Sequence, residues 1–228
     1  MVEPPAPRSI RSFVIRRGRT TEAQERALGE LWPRYGVEFT PEPLDLDALF
    51  GRRAPRTVEI GFGAGENLLA LAARHPERDY LGIEVHPPGI GRVLNALAAS
   101  GLANVRLSGH DAVEVFASQL PPDSLDEVLI LFPDPWPKKR HHKRRLIQMP
   151  FVRCVASRLR SGGRVQLATD WAPYAEHMRE VLDACGELGS LATDAGFMSS
   201  GGERAATRFE RRGRRLGHEV WELAYRRR

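Results

Sequence analysis

The chain is short of several things at once, and each shortage excludes something. It has two cysteines, Cys154 and Cys185, in no CxxC spacing, and no His/Cys cluster of metal-ligand pattern. A disulfide-stapled secreted module and a structural zinc site are both excluded. No metal is expected, and a reduced, cytoplasmic setting is. No apolar run approaches membrane-spanning length and no signal-peptide pattern opens the chain, so no membrane partner is expected. Lysine is nearly absent: Lys138, Lys139 and Lys143 are the three among 34 basic positions, and all fall within the six cations of residues 138–145. Three lysines landing there by chance has odds of roughly one in 300, and Lys and Arg are not interchangeable. Composition alone marks that run.

What is present is an ordinary α/β length of 228 residues carrying an unevenly spread charge. Residues 8–19 hold five Arg and no acid, 138–145 carry +6 and 204–228 carry +6. On an overall +5 this leaves −12 for the rest of the chain. Basic segments on an acidic body make a phosphate-binding footprint whose affinity falls with salt. The alternative is an arginine-rich composition with solubilising tails.

The stretch beside the lysines organises the chain. Residues 128–132 read as a buried strand, and Pro133, Pro135 and Pro137, which lack ladder donors, must stop it. The stiff loop that follows presents one acid, Asp134, beside Trp136, at the strand's carboxyl end, where open α/β sheets hold ligands. Then come Lys138, Lys139, Arg140, His141, His142, Lys143, Arg144 and Arg145. An acid and an aromatic beside six cations suit a polyanion that carries a flat reacting group. A solvated loop or a localisation signal is the plainer reading.

From the start, residues 1–19 read as a basic arm, the first twelve rich in Pro and Arg and loosely held. Thr21 and Gln24 form a capping-box pattern ahead of Ala27, Leu28, Leu31 and Trp32, a short amphipathic helix that Pro33 is expected to end. Residues 34–55 read as loop and short helix. Residues 57–60 form a strand entering the glycine turn of Gly61, Gly63 and Gly65, with a helix behind it. The third glycine falls four residues after the first, not the five of the dinucleotide fingerprint, and Glu59 lies two residues ahead. That favours a different nucleoside cofactor. A second strand, 80–85, carries Glu84, placed to accept both hydroxyls of a ribose. A helix over 90–100 and a strand over 104–107 lead to Asp111, which suits an adenine amino group or a helix cap. Helical periodicity from Leu146 to Leu159 breaks at Ser161, Gly162 and Gly163. A strand over 164–169 then presents Asp170 and Trp171, and Asp170 is also a candidate N-cap for a helix over 173–184. Residues 220–225 alternate as a closing strand. Strands alternating with helices predict an α/β fold with one mostly parallel, twisted sheet.

Glu59 to Gly65, Gly82 to His86, Pro133 to His141, Thr169-Asp170 and Thr207 to Glu210 together resemble the bacterial tRNA guanine-N7 methyltransferases. The resemblance covers nearly all of the chain from Arg11 onward. It implies a single Rossmann-like, S-adenosylmethionine-dependent methyltransferase domain over 20–228, with helices on both faces of the sheet. By the same resemblance Glu59, Gly61, Gly63, Gly65, Glu84, Asp111 and Asp134 would line the S-adenosylmethionine site. Lys138, Asp170, Thr207, Arg208, Phe209 and Glu210 would hold the substrate, and Arg140, His141, His142, Lys143, Arg144 and Arg145 would contact the tRNA. Where this chain has Arg208 the family often has Lys, which keeps the charge.

The chemistry is consistent with the residue set. Guanine N7 is an unprotonated lone pair, so its attack on a sulfonium methyl needs no base, and no Ser/His/Asp or Cys/His set is evident. Catalysis would rest on alignment and on electrostatic support as positive charge moves onto the purine. Asp134 is the expected catalytic group, accepting from guanine N1 and the amino group. Trp136 would stack on a base or pack under the loop. A methyltransferase for another RNA or a small molecule, and a non-catalytic RNA-binding relative, are the other classes. Monomer and homodimer are both compatible with the sequence.

Overall fold

Successive strand residues point to opposite faces of a sheet, and that alternation sorts this core into two clusters. The computed structural model describes residues 11–14, 19–192, 197–198, 210–211 and 219–228. Most of the expected arm, and Thr207, Arg208 and Phe209, lie outside the described residues.

The strands are β1 (Gly36–Val37), β2 (Arg56–Ile60), β3 (Asp79–Ile83), β4 (Val105–Ser108), β5 (Leu125–Leu131), β6 (Leu159–Thr169), β7 (Leu188–Ser190) and β8 (Trp221–Arg227). They form one sheet in the order β1-β4-β3-β2-β5-β6-β8-β7. Pairings from β1 through β6 are parallel, and β8 runs antiparallel to both β6 and β7. The helices are α1 (Glu22–Glu30), α2 (Trp32–Tyr35), α3 (Leu46–Phe50), α4 (Glu66–Arg74), α5 (Pro87–Ser100), α6 (Ala112–Glu114), α7 (Met149–Arg158) and α8 (Ala172–Asp183). On one face Val58, Ile60, Leu81, Ile83, Val128 and Ile130 pack with Phe151 and Val155 of α7 and Tyr174 and Met178 of α8. On the other, Tyr80, Val105, Leu107 and Leu129 pack with Leu68 of α4, Val93 and Leu97 of α5 and Ala27 of α1. Both faces are covered, as a parallel sheet requires.

The order reverses between β2 and β5. From β2 the chain proceeds outward through β3 and β4, then returns to β5 and proceeds the other way. The crevice beyond the carboxyl ends of strands at such a switch point is where ligands bind in open α/β sheets. Because Ile60 sits opposite Ile130, the glycine turn and the proline loop leave the sheet side by side.

Several elements differ from expectation for local reasons. Helix α1 does begin with the Thr21/Gln24 capping box but ends at Leu31, and Pro33 lies in the first turn of α2. There its missing N–H would have had no partner in any case. The helix expected to start at Leu146 starts at Met149, with Pro150 in its first turn. Strand β6 begins at Leu159 and runs through Gly162, which has φ of 79°, so the Ser-Gly-Gly segment is part of the strand. The register against β5 slips between Leu125 and Glu127, and glycine lets the bulged strand turn. Beyond α6 the chain widens into a π-helical segment, Val115–Gln119.

Candidate active site

The glycine turn is built by backbone geometry that side chains would spoil. Gly61, Gly63 and Gly65 have φ of 72°, 55° and 76°, a region that costs other residues strain. A Cβ on Gly65 would stand 2.3 Å from Val93 Cγ2, and one on Gly89 would stand 2.5 Å from the Gly63 carbonyl oxygen. Glycine at these places lets the N-terminal turn of α5 close directly onto the loop.

Glu84, the residue after β3, ties this cradle together. Its Oε2 accepts from Gly63 N at 2.9 Å, and its Oε1 accepts from Val85 N at 2.7 Å and His86 N at 3.0 Å. Glu59 lies behind the turn, 3% exposed, accepting from Asn67 Nδ2 of α4 at 2.8 Å. Burial pushes its carboxyl up to about 7, against the lowering effect of the Asn67 bond. Asp111 caps α6 through Oδ1, which accepts from Val113 N at 3.0 Å. Partial burial raises its pKa, while the capping bond and nearby Arg11 act to lower it.

On the β5 side, Phe132 N donates to Ala168 O at 2.8 Å, the last rung shared with β6. The backbone then turns sharply: Phe132 and Trp136 have φ of 52° and 46°, each two residues from Asp134. Non-glycine residues held there cost of order 1–3 kcal/mol each and persist only where surroundings over-determine them. Asp134 is exposed at the loop's tip. Trp136 is pinned beneath it, its Nε1 donating to Ser12 O at 3.0 Å, with the Arg144 guanidinium 5.1 Å from its ring centroid and His141 edge-on at 5.8 Å. Of the two readings of Trp136, this is the packed one.

The basic run forms a short 3-10 helix, Lys139–Arg144. Lys138, Lys139, Arg140 and Lys143 are exposed, while His141, His142 and Arg144 are half-buried. Burial, then Arg140 and Arg144, hold His141 below its ordinary pKa. Arg145, expected to contact tRNA with the rest of the run, faces inward where its neighbours are exposed or half-buried. It is 4% exposed, its Nε donates to Pro135 O at 3.0 Å, and its guanidinium lies 4.8 Å from the Tyr174 ring centroid. Two of its three guanidinium nitrogens thereby meet groups of the protein itself.

Asp170 follows β6 and is half-buried, but the N-cap position of α8 falls to Trp171, so capping is not its role. Glu210 is 2% exposed, and its neighbour Arg211 forms an ion pair with Glu66 at 2.7 Å, which brings residues 210–211 to the first turn of α4. Asn67, Tyr174 and the Ser12 carbonyl were not legible as site residues. Only the spacing Glu59 to Asn67 carried a signal, since the first turn of a helix behind a glycine loop returns to its own strand. Among the described residues no group of three or more His, Cys, Asp or Glu could hold a metal ion.

A family model described as a putative methyltransferase matches residues 53–223. The crystal structure of the 16S rRNA methyltransferase KamB superposes with a TM-score of 0.56 at 16% identity, covering 86% of this chain and 99% of that one. The match extends the α/β reading to a Rossmann-like methyltransferase fold, and the chain is an enzyme of methyl transfer. A tRNA (guanine-N(7)-)-methyltransferase of Leifsonia xyli subsp. xyli is 57% identical over 216 residues, 95% of each chain. One of Alkalilimnicola ehrlichii is 57% identical over 223 residues, 97% of this chain and 94% of the other. The chain belongs to the tRNA (guanine-N(7)-)-methyltransferase family.

Proposed function

We propose that the enzyme transfers a methyl group from S-adenosylmethionine to N7 of guanine 46 in the tRNA variable loop, in the cytoplasm. One observation carries the reading: Asp134 stands on a proline-stiffened loop between a carboxylate-lined glycine cradle and an exposed run of cations. The relatives' names support guanine N7 and tRNA.

The cradle suits S-adenosylmethionine because its side chains are acceptors while that molecule is rich in donors. A ribose hydroxyl would meet Glu84, whose oxygens have about four lone-pair directions, three of them already taken by backbone donors that fix the carboxylate in place. Asp111 has a second oxygen for an adenine amino group, and Gly61 and Gly63 leave room above the turn. Bound there, the cofactor supplies an electrophilic methyl on a sulfonium. The residues do the rest by position. Asp134 accepts from guanine N1 and the amino group, selects guanine, and supports the positive charge that the purine acquires. Lys138, Asp170 and Glu210 are substrate contacts in this reading, as are Thr207, Arg208 and Phe209, which lie outside the described residues. Arg140, His141, His142, Lys143 and Arg144 meet phosphates. Glu59 braces α4 from behind.

The test is incubation of unmodified tRNA transcript with methyl-labelled donor, followed by nucleoside analysis. Label in 7-methylguanosine at position 46 is expected. Label in another nucleoside, or a transcript left unlabelled by folded protein, would sink the assignment.

A further inference from the structure

We propose that Arg145 is a positioning residue for the Asp134 loop, clamping Pro135 to the buried ring of Tyr174, and is not a ligand of tRNA. It acts through Asp134, and so rests on the function proposed above.

The run from Lys138 to Arg145 is uniform in sequence, but the fold divides it. Its four outward members project into solvent, whereas Arg145 makes three contacts with the protein. Nε holds the Pro135 carbonyl at 3.0 Å, Nη2 meets His142 Nε2 at 3.2 Å, and the guanidinium carbon lies over the Tyr174 ring, 4.8 Å from its centroid. Each contact belongs to a different part of the site. Pro135 is the residue after Asp134; His142 lies in the 3-10 helix; Tyr174 stands in the first turn of α8, just past Asp170.

The far side of the clamp is itself immobilised. Tyr174 is fully buried, its hydroxyl accepts from Ile147 N at 3.3 Å, and His177 Nε2 meets Ile147 O at 2.8 Å. His142 is held in turn, since its carbonyl accepts from Gln148 Nε2 at 3.1 Å. Asp134 is near enough to Tyr174 for its charge to help raise the phenol's pKa, although burial is the larger cause.

The backbone supplies the reason for a clamp. Phe132 and Trp136 keep positive φ on either side of Asp134, and no glycine relieves either. Three prolines remove donors from the same stretch, so few backbone bonds remain to hold it. Arg145 Nε on Pro135, together with the Trp136 indole on Ser12, supplies what the backbone cannot. A planar guanidinium fork can bond two partners at fixed directions while its carbon stays over a ring, an arrangement the point charge of an ammonium does not reproduce.

The decisive variants are Arg145→Lys and Arg145→Gln in the full chain. At saturating tRNA and S-adenosylmethionine, both should lower the single-turnover rate, on the order of 10²-fold if Asp134 moves by about 1 Å. The salt dependence of tRNA binding should stay as in wild type. In ¹⁵N spectra the Trp136 indole resonance, assigned by its loss in Trp136→Phe, should shift while those of Trp32 and Trp221 stay, which also reports folding. A wild-type rate in Arg145→Lys, or a shallower salt slope in Arg145→Gln, would overturn the clamp and restore Arg145 to phosphate contact. Should Asp134→Asn prove fully active, the catalytic reading of Asp134 falls, and the indole resonance alone then judges the clamp: a shift upholds it, an unmoved signal ends it.

Discussion

The two walls of the crevice between β2 and β5 are made by opposite means. On the β2 and β3 side, carboxylates turn inward and are held by amide donors, Glu84 by three backbone N–H groups and Glu59 by the Asn67 side chain. On the β5 side, exposed cations turn outward from a short 3-10 helix, and the aromatic beside them is pinned to Ser12. A small cofactor with fixed hydroxyls rewards a preorganised wall, while a polyanion rewards exposed charge and tolerates movement. Substitutions on the first wall should therefore act through affinity and stability, and those on the second through rate and salt.

The largest effect is expected where the walls meet. If the charge of Asp134 supports the cationic purine, Asp134→Asn, which keeps shape and one acceptor, should lower turnover by roughly 10²–10³. Binding of tRNA should change much less. Single-turnover kinetics at saturating substrates provide the measurement. A variant transferring methyl at the wild-type rate would reduce Asp134 to a shaping residue of the loop.

Glu59 tests the inward wall through pH. Its carboxyl titrates near 7 in the folded chain against an ordinary 4.5, because burial disfavours the charge. Below 4.5 both folded and unfolded chains hold the proton. Between 4.5 and 7 the unfolded chain gives it up first, so stability falls as pH rises, by about 3 kcal/mol in all. Glu59→Gln keeps an acceptor for Asn67 and cannot ionise. It should match wild type near pH 4.5 and exceed it by about 3 kcal/mol at pH 8 in urea unfolding. A gap between the two proteins that is the same at both pH values would place the Glu59 pKa at its ordinary value.

How far the sequence reveals these walls follows from their construction. The glycine turn was legible because positive φ and close approach select glycine at Gly61, Gly63 and Gly65, and a backbone requirement leaves a local mark. The mostly parallel sheet was legible for the same reason, in the alternation of strand and helix, and so was the capping box of α1. Short β1 was not, because a two-residue strand exists only by pairing with β4. The inward turn of Arg145 was not legible, because no local pattern says which cation in a run faces inward. That is decided by Tyr174, 29 positions away in the chain. The start of β6 was hidden by Gly162 and Gly163, which read as a helix break and act as a bulge.

Glu84→Ala removes an acceptor for the ribose and three backbone bonds from the cradle. Loss of a charged hydrogen-bond partner predicts donor binding weaker by about 1.5–3 kcal/mol, or roughly 10- to 150-fold. Calorimetry with S-adenosylmethionine reads this directly. Unchanged affinity in a folded variant would move the ribose elsewhere and leave Glu84 as a brace of the glycine loop.

The smallest effect belongs to Lys143, and its position makes it the sharpest probe of the outward wall. Lys143 is exposed on the 3-10 helix and lies two residues before buried Arg145, so the two share sequence context and differ in which way they face. If Lys143 meets one phosphate, Lys143→Ala should release about one fewer counterion and flatten the slope of log affinity against log salt by about 1. Donor affinity should stay at its wild-type value, because nothing in the cradle depends on this side chain. Filter binding of tRNA across a salt series measures the slope. An unchanged slope would show that the exposed run is only a solvated face, and the contrast between the two walls would lose its outward half.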